Sequence, residues 1–137
     1  MRRTVTITLH WTSFVLLVLL VAAGPLPGLV WAFGISGLAM CAFAVFAGLL
    51  NGPGPKLEGG LRRAHPWLSR AMYAGLGGVA GLGLWVQLRG GDVALAPIHF
   101  YLMSASALHA IFHLWRHTAL GDGALRRITP TAIHGVL

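Results

Sequence analysis

A chain of 137 residues that is 56% hydrophobic and only 9% charged is not built for water, since a soluble domain carries about a quarter charged residues. The formal charge of +7 does not indicate a nucleic-acid partner, because the basic residues cluster beside long apolar stretches, as they do in membrane proteins. A single cysteine, Cys41, falls inside an apolar stretch; it excludes an internal disulfide and is expected to be a small buried hydrophobe.

Four apolar stretches follow one another at residues 5–23, 28–50, 67–88 and 97–115, each close to the roughly 17–25 residues a helix needs to cross the hydrocarbon core. The first follows Arg2 and Arg3 but is longer than a signal-peptide core, and Gly24-Pro25-Leu26-Pro27 is a poor cleavage site. That tetrapeptide is the whole connection to the second stretch, so the two helices are predicted to be antiparallel neighbours. The second stretch contains Gly34-Ile35-Ser36-Gly37. Residues 51–65, rich in Gly and Pro and carrying Lys56, Arg62 and Arg63, are predicted to be an irregular, water-facing inner loop. The third stretch holds Gly75, Gly77, Gly78, Gly81 and Gly83. These either allow close helix packing, as Gly77 with Gly81 would, or leave space for a flat macrocycle. A short outer loop at 89–96 leads to the fourth stretch. The tail after it turns at Gly121-Asp122-Gly123 and holds at most a short interfacial helix.

The expected architecture is therefore all-α: a four-helix transmembrane bundle over residues 1–117 with a tail at 118–137. Nine of the ten Lys and Arg residues mark one side, and only Arg89, accompanied by Asp92, lies on the other. The positive-inside rule makes the basic side cytoplasmic, with both termini on it, and the same face suits lipid headgroups. Trp67 and Trp115 read as interface anchors.

The chain has seven histidines, at 10, 65, 99, 109, 113, 117 and 134. An intramembrane histidine is costly and marks a functional candidate. His10 lies about 8 Å and His109 roughly 9–12 Å from the same boundary at 1.5 Å per residue. Either alone is accounted for by a hydrogen bond across helices or a proton path. Two at one depth, with few polar groups nearby, point to a haem edge-on between them with one imidazole on each axial side. His109, His113 and His117 form one stripe at four-residue spacing. His113 stands one turn from the expected ligand, as an alternative ligand or a propionate or quinone neighbour, and His117 sits at headgroup level. His65, beside Pro66, is expected to be a solvated loop residue, and His134 in the tail is uninformative. His99 lies about 15 Å along the axis from His109. With no histidine in the outer half of another span and Met40 too deep to pair with it, His99 is expected at the polar interface.

Thr8-Leu9-His10-Trp11, then Leu108-His109 through His117 followed by Asp-Gly-Ala-Leu-Arg-Arg-Ile-Thr-Pro from Asp122, are specific stretches. Together with Arg70-Ala71-Met72-Tyr73 and Gly34-Ile35-Ser36, they make most of this chain resemble the bacterial cytochrome b561 family of small four-helix haem proteins. The resemblance implies a multi-pass protein of the bacterial inner membrane with a b-type haem near the cytoplasmic face, its axial ligands mapping to His10 and His109. Family members typically carry two haems and move electrons between a donor and membrane quinone; some oxidise superoxide and reduce ubiquinone. This chain departs from the pattern at the outer haem. The positions matching the outer ligands are Val30 and Leu95, with His99 a turn away, and the usual third-helix histidine matches Ser69, with His65 a turn away. One haem b is therefore expected, without transmembrane haem-to-haem transfer.

The leading expectation is a membrane b-type cytochrome carrying electrons through one bis-histidine haem, to or from quinone. Ubiquinone or a haem propionate would then lie near Arg62, Arg63, Arg116, His113 and His117. The alternative is an accessory or assembly subunit on the same scaffold, bound to a larger respiratory or photosynthetic complex. A small transporter fits less well, because no span is broken and no carboxylate lies mid-membrane.

Overall fold

In the computed structural model, which describes residues 1–49 and 52–136, four helices carry the chain: α1 (Arg2–Ala23), α2 (Pro27–Ala47), α3 (Gly59–Arg89) and α4 (Leu95–Thr118). Each is long and apolar enough to cross a membrane. Two short 3-10 turns follow, at Leu125–Arg127 and Thr131–Val136, and there is no strand among the described residues. The expected end of the second span at Leu50, the loop start at Asn51 and the last tail residue, Leu137, lie outside the described residues.

The hairpins follow from local chemistry. Gly24 ends α1 at φ +84° and Gly90 ends α3 at φ +67°, a backbone region closed to most side chains but open to glycine. Pro27 opens α2, where its missing N–H costs nothing and its fixed φ suits the first turn. Successive helices are therefore antiparallel neighbours, and α4 returns to lie beside α1, closing an up-down-up-down ring. Within that ring α2 packs closely on both α1 and α3, while α4 closes against α1 and α3 more loosely.

One expectation fails in the loop between α2 and α3. Residues 59–65, read as irregular, form the first turns of α3, and Pro66 sits inside the helix. The Gly- and Pro-rich, charged composition suggested irregular chain there, and proline also disfavours helix in the residue before it and removes one backbone hydrogen bond. Tertiary contacts override that preference. His65 is buried, and Arg62 Nη1 donates to the carbonyls of Gly54 (2.9 Å) and Leu57 (3.3 Å).

The core is unevenly filled. Leu17, Leu20, Val30, Phe33, Ala80, Leu95 and Leu102 pack into a dense cluster in the half nearer the α1–α2 hairpin. Val45, Phe46, Leu88, Tyr101 and Leu108 face outward and are strongly exposed, as expected where the surrounding solvent is lipid. Cys41 is half-buried, and its Sγ donates to the Tyr73 carbonyl at 3.4 Å.

The glycines separate the two readings open from sequence. A Cβ at Gly83 would sit 3.1 Å from Val30 and one at Gly37 3.1 Å from Ala80, while one at Gly34 would fall inside the Leu84 side chain. These glycines seat α2 on α3. Gly75, Gly77, Gly78, Gly81 and Gly83 are all absent from the lining of the interior cavity described below, so close packing accounts for those that touch a neighbour. Gly34→Leu should therefore lower the stability of the detergent-solubilised protein by about 1–3 kcal/mol through overpacking. Gly81→Leu, with open space around its Cα, should change it by less than about 0.5 kcal/mol. Thermal unfolding of the two variants side by side is the check, and equal effects would refute the packing argument.

The tail is not free of the bundle. Arg3 Nη2 donates to the carbonyls of Arg126 (3.0 Å) and Thr129 (2.7 Å), and Trp11 Nε1 donates to the Ile128 carbonyl at 2.9 Å. These bonds fold residues 124–129 back across the end of the bundle where α1 begins and α4 ends.

Candidate functional site

The less filled half of the bundle holds a half-open cavity of about 430 Å³, within the usual size range for ligand pockets. His10 enters it from α1 and His109 and His113 from α4; Met40 closes it from α2, Ser69 and Tyr73 from α3, and Leu125 and Arg127 from the tail. Its far end is the top of the dense core, at Leu17, Phe33 and Leu102.

His10 and His109 thus come from neighbouring helices into one cavity. Among the described residues, neither imidazole is held by a hydrogen bond. Their close ring contacts are Trp11 against His10 (centroids 5.9 Å apart, near-perpendicular) and His113 against His109 (4.5 Å). The second contact is the i, i+4 neighbour relation of a helix face. Nearby hydroxyls have other partners: Ser13 Oγ donates to Ser36 Oγ (3.2 Å) and Ser106 Oγ to the Leu102 carbonyl (2.8 Å). The two rings therefore line a mainly apolar space.

Of the other expected site residues, only His113 lines the cavity. Arg62 and Arg63 are exposed at the end bearing the termini, with Arg62 held by loop carbonyls. His117 is half-buried outside the lining. Arg116, expected at the basic face, is fully buried. It donates to Asp122 Oδ2 through Nε (2.8 Å) and Nη2 (2.6 Å), and to the Pro53 carbonyl (2.8 Å). Its Nη1 lies 2.9 Å from His65 Nε2. A carboxylate six residues on, a loop carbonyl and an imidazole together replace the water that a buried guanidinium loses. The same cluster corrects the reading of His65, which is 2% exposed rather than solvated.

His99 is also misplaced by the sequence reading. It is completely buried, edge-on to Phe33 at 5.8 Å, and neither ring nitrogen has a hydrogen-bond partner among the described residues. Depth counted along one helix placed it near the outer boundary, but the short α3–α4 loop lets α4 begin at Leu95, so its first turns join the core. Val30 and Leu95 are buried members of that core.

Sequence reasoning missed Arg127, Ser69 and Tyr73 as cavity residues. Arg127 was read only as a topological label, and nothing local shows that the tail folds back. Trp11 beside His10 was the one available signal, because an indole N–H seeks a hydrogen-bond partner. Comparison with family models, curated proteins and solved structures finds no match to this chain.

Proposed function

We propose that this chain is a multi-pass b-type cytochrome of the bacterial inner membrane, with both termini cytoplasmic, holding one haem between His10 and His109 and exchanging single electrons with quinone. The observation that carries the reading is the pair of imidazoles from adjacent helices, without a hydrogen bond to any described residue, lining one mainly apolar cavity.

The residues present suit the group. Imidazole is a usual axial ligand of haem iron, and two leave no coordination position open for oxygen or substrate, which favours electron transfer over oxygen chemistry. Bound haem supplies a reversible one-electron couple, and its surroundings tune the potential. Leu17, Phe33, Leu76 and Leu102 keep water from the far end of the cavity. Trp11 and His113 buttress the two ligand rings. At the end bearing the termini, the exposed Arg62 and Arg63 offer cationic groups where quinone reduction can draw protons from water.

The test is direct. The purified chain, expressed with adequate haem supply, should show a Soret band and about one haem per chain in a pyridine haemochrome assay. A preparation with no Soret band refutes the reading. Two haems per chain would refute the single-site assignment and direct attention to His99.

A further inference from the structure

The cavity wall carries one cation, Arg127, that has no ion-pair partner among the described residues. Arg127, on the folded-back tail, lines the cavity and is half-buried. Its hydrogen bond to another described residue runs from Nη1 to the Gly52 carbonyl at 3.2 Å, which leaves most of its five N–H donors unused. The nearby carboxylate is already committed: Asp122 Oδ2 takes two bonds from Arg116, and Oδ1 accepts from the Ala124 backbone N–H at 2.9 Å. Arg116–Asp122 is the only ion pair among the described residues. Two guanidiniums thus crowd one carboxylate: a Cβ built on Gly54 would lie 2.6 Å from Arg116 Nη2, 2.8 Å from Asp122 Oδ2 and 3.2 Å from Arg127 Nη2. A partly desolvated guanidinium without a counter-ion is unfavourable, and a carboxylate is the anion its planar fork fits best.

The opposite end of the cavity is apolar core, so a ligand with an apolar body and an acidic edge has one favourable orientation here. The geometry points to Arg127 as the carboxylate-binding residue of the cavity, holding the acidic edge of the ligand toward the tail. This rests on the haem reading above, since haem is such a ligand, with its propionates on one edge. The tail is then part of the binding site rather than an appendage, and Trp11 and Arg3 position Arg127 by bonding the carbonyls of Ile128, Arg126 and Thr129.

The experiment titrates haem and haem dimethyl ester, in which both carboxylates are capped, into the purified haem-depleted chain and its Arg127→Leu and Arg127→Lys variants. Binding is followed by absorbance. Arg127→Leu should bind haem about tenfold or more weakly, the scale of one hydrogen bond to a charged group, and bind the ester like the unmodified chain. Arg127→Lys should recover most of the haem affinity. Equal haem binding by the Leu variant and the unmodified chain overturns the inference. Equal weakening for both ligands also overturns it, assigning Arg127 to packing. If the unmodified chain takes up neither ligand, the haem reading falls and this inference with it. If both ligands bind and are lost on His10→Ala while Arg127→Leu changes nothing, only the present inference falls.

Discussion

His10→Ala and His109→Ala should each yield a folded chain that retains no haem and shows no Soret band, whereas His113→Ala should keep both. The expectation follows from the geometry of the cavity. Each ring enters from a different helix, so neither can take over the other's side. His113 packs against His109 at 4.5 Å and shares its helix face, so it is the residue that would be the ligand if the register were displaced by one turn. Retention of haem in His109→Ala with loss in His113→Ala would move the axial ligand to His113. Retention in His10→Ala would break the proposed pairing. Loss through misfolding is distinguished by His109→Gly, which should regain the Soret band when imidazole is added, because the vacated space then accepts the free ligand.

The second large effect is on stability. Asp122→Ala should destabilise the protein by about 3–5 kcal/mol, because it strands Arg116 as an uncompensated buried charge. Both side chains of this pair are fully buried, with an N–O separation of 2.6 Å, so salt screens it little. The pair also ties α4 to the chain that follows it, and through Pro53 and His65 to the α2–α3 loop and α3. Asp92→Ala, at an exposed carboxylate in the α3–α4 loop, should cost less than about 0.5 kcal/mol. The double replacement Arg116→Leu/Asp122→Leu should recover much of the loss, since an apolar pair of similar volume often substitutes for a buried ion pair. Chemical or thermal unfolding in detergent compares the four proteins. A single Asp122→Ala effect no larger than that of Asp92→Ala would mean that water reaches Arg116 in solution.

Much of the helical framework was legible because it depends on local quantities. The length of each apolar run, glycine at Gly24 and Gly90, and proline at Pro27 specify helices and hairpins through backbone sterics and the solvent that surrounds the chain. That His10 and His109 stand a similar number of residues from the ends of α1 and α4 was equally readable, since rise per residue is constant along a helix. The same arithmetic misjudged His99, because distance along an axis says nothing about which direction a side chain faces or what fills the space there. Composition likewise misjudged the start of α3, where a Gly- and Pro-rich, charged stretch gave way to helix and to the burial of His65.

The pattern of apolar runs and short connections was thus enough to place four helices and to put two imidazoles at similar positions along theirs, because each of those properties is carried by residues close together in the chain. Whether those imidazoles shared a space, and what walled it, depended on residues far apart: Trp11 reaching Ile128, Arg116 reaching Pro53, and Arg127 returning to the cavity from beyond the last helix. Such contacts arise from packing in three dimensions. A buried charge or indole N–H must find a partner wherever the folded chain brings one, and no spacing along the sequence encodes where that is.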